Sequence, residues 1–467
     1  MRIRILVLFL MLGSLGYSQS VLGDWNGILN IQGTQLRIVF HISETGGTYT
    51  ATLDSPDQKA FGIPAGETTF AENNLEIKLP NLAAQYKGKY DAAAQVVDGT
   101  FSQGGATFPL KLTREEQEKQ ELKRPQNPVA PFPYAQEDVT YDNPAAQGVT
   151  LAGTLTLPKG DGPFPAVILI SGSGPQNRDE ELLGHKPFLV IADHFTRNGI
   201  AVLRFDDRGV GQSTGDFATA TSADFATDVQ AGVEYLKTRK EINARKIGLA
   251  GHSEGGLIAP MVAAKSADVA FIVLMAGPGV SGDKVIRLQS RLISKAEGKS
   301  EQEIKADDNF LKTAFKELKK TKNIEATRLK LKNTMMKEME KLPAADKEKL
   351  GNLDQVATSQ VNSITSPWFR YFLFYDPATS LEKVKCPVMA INGGKDLQVD
   401  PNQNLPAISS ALKKGGNTRF VVKEIPGLNH LFQHTDTGKP SEYAEIEETI
   451  APEALNYMTG WILEQTK

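Results

Sequence analysis

The sequence predicts an α/β chain built on a doubly wound, mostly parallel sheet, with a small antiparallel β domain before it and a helical insertion within it. From Pro165 onward, short runs rich in Val, Ile and Ala alternate with amphipathic stretches of helical spacing, the pattern of a parallel sheet covered on both faces. Before Thr113 the runs are short and strand-like, with Gly and Asn between them. From about Gly282 to Asn362, strand-forming residues give way to Lys, Glu, Leu and Ala at helical spacing. A chain of 467 residues has room for about three domains of ordinary size.

The first 18 residues read as an export signal: Arg2 and Arg4 supply positive charge, Ile5 to Leu12 an apolar run and Gly16-Tyr17-Ser18 a small-x-small cleavage site. The apolar run is well short of the roughly 20 residues a bilayer span needs, so the expectation is a mature chain from about Gln19, periplasmic or secreted, with no membrane span after cleavage. Residues 19–113 form the β-rich domain, with strands expected at Thr34 to Ile42, Gly47 to Leu53, Asn74 to Leu79, Gln85 to Tyr90 and Ala106 to Leu112. Trp25 reads as a core plug at one end of this sheet. Residues 114–133 are a linker, a charged run followed by Pro125, Pro128, Pro131 and Pro133, because proline at that density continues neither helix nor ladder.

Residues 134–467 make the main α/β domain. Two strand-like pieces, Asp138 to Tyr141 and Val149 to Leu157, lead into strands at Pro165 to Ser171, Ala201 to Phe205, Lys246 to Ala250, Val269 to Met275, Val388 to Asn392 and Arg419 to Ile425. Helices are expected at Pro187 to Asn198, Ala223 to Arg239, Gly255 to Ala264, Asn404 to Lys413 and Glu442 to Glu464. The insertion ends in the aromatic run Trp368 to Tyr375, and together they form a cap at about 282–375. Aromatic surface must be buried in a core or against a ligand, which makes Trp368, Phe369 and Phe372 candidate substrate contacts.

Composition excludes several partners. Lys plus Arg total 52 against 55 for Asp plus Glu, a formal net charge of −3, so there is no basic excess to attract nucleic acid. The single cysteine, Cys386, has no partner for an internal disulfide or a Cys-based zinc site and reads as a small residue of a buried strand. No GxGxxG or Walker pattern follows a strand, and neither metal nor cofactor is expected. Oligomeric state has no signature.

Gly251-His252-Ser253-Glu254-Gly255 fits Gly-x-Ser-x-Gly between an apolar strand and a helix. That is the strand-turn-helix setting of a nucleophile elbow, whose tight turn demands glycines beside the serine. A serine hydroxyl is a weak nucleophile and needs a base, which in turn needs an orienting acid. Of the six histidines, His430 and His434 follow Ser253. His430 stands directly after the strand Arg419 to Ile425 and is the expected base, with His434 on the surface. The acid is Asp396, at the tip of Val388 to Asn392, in preference to Asp400, whose neighbour Pro401 suggests a helix start. An oxyanion needs two preorganised donors: the Glu254 N–H, and one from the glycine-rich loop after Pro165 to Ser171, either Ser173 or Gly174. Asp206, Asp207, Arg208, Arg178 and Glu254 are expected to form an ion-pair scaffold beneath the site.

The order Ser, Asp, His resembles the α/β-hydrolase superfamily over about Asp138 to Lys467. The segments Ile170 to Asp179, Arg204 to Gly209, Gly251 to Gly256 and Gly427 to Phe432 are similar to a branch of secreted or periplasmic carboxylesterases related to the serine aminopeptidase (S33-like) type. Ser171 replaces the His of the His-Gly start common elsewhere in the superfamily. The resemblance implies an α/β-hydrolase fold with a helical cap and a serine hydrolase that cleaves short to medium acyl esters of small molecules through an acyl-enzyme. A serine peptidase or aminopeptidase with the same triad is the alternative, and a non-catalytic lipid- or glycan-binding protein a remote one.

Overall fold

In a computed structural model of the chain, the described residues are 21–31, 34–103, 106–118, 123–343, 347, 350 and 352–467. The export signal at 1–18, the start at Gln19 and residues 119–122 of the linker lie outside them. The chain divides into two compact units, Met1–Gln120 with Leu342–Val356, and Glu121–Lys341 with Ala357–Lys467.

The first unit holds nine antiparallel strands, β1 (Gly23–Ile31), β2 (Thr34–Thr45), β3 (Thr48–Ser55), β4 (Ala60–Pro64), β5 (Glu67–Ala71), β6 (Asn74–Leu79), β7 (Ala84–Asp91), β8 (Val96–Gln103) and β9 (Ala106–Thr113), in the order β4-β3-β2-β1-β9-β8-β7-β6-β5. Four of them, β1, β4, β5 and β8, carry Gly, Pro or acidic residues that weaken local strand preference, and the sequence reading did not mark them. Trp25 is fully buried, donates its indole N–H to the Val21 carbonyl at 2.6 Å and meets Tyr90 edge-on.

The second unit carries the sheet that positions the site. Its strands are β10 (Ala135–Asp142), β11 (Thr150–Leu157), β12 (Phe164–Ile170), β13 (Ala201–Phe205), β14 (Ile242–His252), β15 (Val269–Met275), β16 (Val388–Gly393) and β17 (Phe420–Ile425), ordered β10-β11-β13-β12-β14-β15-β16-β17. Pairing is antiparallel for β10 with β11 and for β11 with β13, and parallel from there on. Alternation along β12 assigns the two cores. Ala166, Ile168 and Ile170 pack with α2 (Ser222–Lys237) and α3 (Glu254–Ala263), while Val167 and Leu169 pack with α1 (Pro187–Arg197) and the C-terminal helix Pro452–Gln465. Because β13 and β14 flank β12 on opposite sides, the chain reverses its winding there and opens a crevice at the carboxyl ends of β12 and β14.

The insertion between β15 and β16 contains α4 (Gly282–Ala296), α5 (Glu301–Lys320), α6 (Ile324–Met339), α7 (Leu353–Ile364) and α8 (Pro367–Phe374). Ser300 and Glu303 close a capping box on α5, and Ser366 caps α8 ahead of Pro367, each satisfying N–H groups that a helix start leaves unpaired. The segment Leu342–Val356 groups with the first unit rather than with the remainder of the insertion.

Two expectations change. The last helix begins at Pro452 instead of Glu442, since proline suits the first helical position and residues 443–451 are held in a loop by tertiary bonds. Cys386 precedes β16 and is half-buried, its thiol pushed up to about 11 by burial. From residue 124 onward the proline-rich linker is tied down by hydrogen bonds. The Arg124 guanidinium donates to the carbonyls of Leu183, Ala444 and Ile446, and the Gln126 amide bonds the backbone of Thr449 and Ile450.

The same loops enclose His185, fully buried with Nδ1 on the Thr449 hydroxyl at 2.8 Å and Nε2 on the Tyr443 carbonyl at 3.0 Å. Burial, reinforced by the nearby Arg124 charge, lowers its pKa to about 4. An unfolded histidine takes its proton near 6.5, so the stability held by neutral His185 is intact above that pH and is lost as the pH falls toward 4. The expected result is a melting temperature that drops between pH 6.5 and 4, with a smaller drop in His185→Gln. Equal drops in calorimetric scans would refute this.

Candidate active site

Ser253 sits between β14 and α3 with φ +51° and ψ −116°, a conformation that costs a residue with a Cβ free energy and persists only where the surroundings enforce it. The neighbouring glycines explain how it is enforced. A Cβ on Gly251 would strike the Gly255 carbonyl, and one on Gly255 would strike the Ile170 carbonyl of β12. The Ser253 N–H donates to the Met275 carbonyl at 2.8 Å, which leaves the hydroxyl at the mouth of the turn above the helix N-terminus, where developing negative charge is favoured.

Asp396 follows β16 and is almost completely buried. Its Oδ1 accepts the N–H groups of Gln398 at 2.8 Å and Val399 at 2.9 Å, and its Oδ2 accepts from His430 Nδ1 at 2.7 Å. His430 rides on a turn after β17, where the buried Asn429 Oδ1 accepts from the N–H groups of Leu431 and Gln433. Asp400 caps the helix Pro401–Lys414. His434 is exposed and bonds Glu448 and Glu453.

Ser253 and His430 line one cavity of about 250 Å³, together with Gly172, Ser173, Val285, Ile286, Gln289, Trp368, Phe372, Leu431 and Tyr443 among others. Of the two oxyanion candidates on the β12 loop, Ser173 lines it and Gly174, at φ +97°, does not. Gly172 is also excluded as a donor, because its N–H is taken by Glu180 Oε1 at 2.6 Å. Of the three aromatic candidates, Trp368 and Phe372 share one face of α8 and stack on each other, whereas Phe369 is turned away against Phe315. Helix geometry is the reason: positions four apart share a face and adjacent ones do not.

The expected ion-pair scaffold separates into distinct pairs. Arg178 holds Asp206 at 2.8 Å, Arg204 holds Asp179, and Arg208 reaches α2 to bond Asp228 at 2.7 Å. Asp207 instead accepts from the Ser171 hydroxyl and the Gln176 N–H, and burial pushes it up to about 8. Glu254 is fully enclosed, accepting from the Ser222 hydroxyl at 2.6 Å and, through both oxygens, from the Trp368 indole at 2.8 and 2.9 Å. Burial raises its pKa. Neutral donors thus replace arginine at both carboxyls. Sequence reading also missed Glu180 and the partners of His252. His252 lay in plain view inside the serine motif, but Glu180 carries no pattern of its own.

A doubly wound sheet with a strained serine turn at its crevice, and a buried histidine–carboxylate pair facing it, is the architecture of an α/β-hydrolase. The family described as serine aminopeptidase, S33 matches residues 187–436, more than half of the chain, and the protein belongs to it. Over 336 residues it is 26% identical to the esterase EstD of Thermotoga maritima, spanning 71% of this chain and 69% of that one. It is also 27% identical over 300 residues to an uncharacterized 31.7 kDa protein of Escherichia coli, across 62% of this chain and 91% of the other. Among solved structures, the Pyrococcus furiosus esterase Pf2001 aligns with a TM-score of 0.41 at 17% identity, over 71% of this chain and 93% of that one. Membership of that family makes the protein a hydrolase. No helix among its described residues is long and apolar enough to cross a membrane.

Proposed function

We propose that the protein is a carboxylic-ester hydrolase working through an acyl-enzyme. Ser253 attacks the acyl carbonyl while His430 takes its proton and passes it to the departing alcohol. Asp396 holds the imidazole in the required tautomer, and water then releases the acyl group by the same route. The observation that carries this reading is the buried 2.7 Å bond from His430 to Asp396, facing the same cavity as a serine held at φ +51°. The N–H groups of Glu254 and Ser173 serve as oxyanion donors, since the first begins α3 and the second borders the cavity.

Two features favour esters over peptides with a free amino terminus. Val285, Ile286, Trp368, Phe372 and Leu431 give the cavity an apolar wall, and about 250 Å³ suits a short to medium acyl chain. Glu180, the carboxylate that borders the cavity, already accepts from the Gly172 N–H and the His252 ring, which leaves it poorly placed to receive a substrate ammonium. The expected outcome of assaying p-nitrophenyl acetate, butyrate and octanoate beside aminoacyl anilides is turnover of the esters. Faster cleavage of the anilides would overturn the reading in favour of an aminopeptidase. If Phe372 lines the acyl site, Phe372→Ala changes the octanoate-to-acetate ratio by about tenfold, because an apolar pocket discriminates by about 1–3 kcal/mol per methylene. A lower melting temperature with an unchanged ratio would mean that Phe372 only pins α8 to the core.

A further inference from the structure

His252 occupies the variable position of the serine motif and is buried at the end of β14. Its Nε2 lies 3.0 Å from the main-chain carbonyl of His430, and its Nδ1 lies 3.0 Å from Glu180 Oε1. A carbonyl oxygen only accepts, so Nε2 carries a hydrogen. Glu180 Oε1 also takes the Gly172 N–H at 2.6 Å, so this oxygen is already acting as an acceptor. Both ring nitrogens therefore face acceptors. Glu180 itself is 7% exposed, on the loop between β12 and α1, and the two residues are 72 positions apart in the chain.

We propose that Glu180 and His252 form a buried carboxylate–imidazolium pair that positions the site, tying the β12 loop at Gly172 and the base loop at His430 to the strand that presents Ser253. This role rests on the serine-hydrolase reading above. The pair's bonds run in one line from the Gly172 N–H through Glu180 and His252 to the His430 carbonyl, so a shift of either loop must break one of them. Burial opposes the charge on His252, but the Glu180 carboxylate beside it and the His430 carbonyl outweigh that cost, and the net direction is upward. The groups facing the pair are the His430 ring, with its centroid 4.8 Å from that of His252, and Asp396 behind it. Asp207 feels the charges of both Glu254 and Glu180. The Tyr443 hydroxyl borders the same cavity, held by Gln398.

Two measurements test the pair. In protein labelled with 15N-histidine, with His252→Gln supplying the assignment, both ring nitrogens of His252 are expected to be protonated at pH 7; a single protonated nitrogen overturns the proposal. Glu180→Gln keeps the shape and an acceptor for Gly172 but removes the charge. Its expected effect is a fall in kcat of about tenfold to a hundredfold, with KM changed less than about twofold and the alkaline limb of the kcat/KM profile, where His252 gives up its proton, moved to lower pH. Glu180→Asp restores the charge and should return that limb toward the wild-type position. A Glu180→Gln protein that melts lower yet keeps the wild-type limb and kcat overturns the positioning role while leaving the hydrolase reading standing. A wild-type protein that cleaves no ester and takes no phosphonate overturns the hydrolase reading and the positioning role with it.

Discussion

Replacing Ser253 with Ala is expected to lower kcat/KM on the best ester substrate on the order of 10⁴-fold or more, about 5.5 kcal/mol of transition-state stabilisation, with the melting temperature held or raised. The size follows from the chemistry. Without the hydroxyl there is no acyl-enzyme, and what remains is the contribution of oxyanion donors and binding alone. Stability should not suffer, because Ser253 holds its place through its main chain, with its N–H on Met275 and its carbonyl on the Gly256 N–H. The cost of φ +51° is carried by alanine as well as by serine. An organophosphonate should label the wild-type protein at Ser253 and leave the variant unlabelled. Retention of more than a tenth of the wild-type rate, or an adduct mapped to another residue, would sink the assignment.

Asp396→Asn is expected to be nearly as severe, on the order of 10³- to 10⁴-fold in kcat. Oδ1 of Asp396 is committed to the N–H groups of Gln398 and Val399, so the amide nitrogen of the variant must take the Oδ2 place opposite His430 Nδ1. There a donor faces the ring, Nδ1 must accept, and the hydrogen moves to Nε2, the nitrogen needed to receive the proton of Ser253. Asp400→Asn provides the contrast. Asp400 caps a helix through the Asn402 N–H, and asparagine caps about as well as aspartate, so both rate and stability should stay near wild type. A larger loss at Asp400 than at Asp396 would reassign the acid.

Much of this site is legible in the chain because its chemistry is local. The strands Ala201–Phe205 and Val269–Met275 read to the residue, since buried parallel strands are short apolar runs bounded by turn residues. The turn at Gly251 to Gly255 declares itself because no residue larger than glycine fits two positions to either side of the serine. His430 and Asp396 follow from chain order, each just after a core strand. Strands β4 and β5 did not read out, because their stability comes from neighbours across the sheet rather than from their own composition.

The sequence alone determined the α/β class, the serine turn and the candidates for base and acid, all of which depend on residue type and short spacing. Tertiary structure decided which distant groups meet. It joined Arg208 to Asp228, gave Glu254 the Trp368 indole in place of an arginine, turned Phe369 away from the cavity and set Glu180 against His252. Those outcomes depend on helix rotation and on which loops converge at the crevice. A buried carboxylate can be satisfied by an arginine, an imidazolium, a hydroxyl or an indole N–H, and only the packing of the folded chain selects among them.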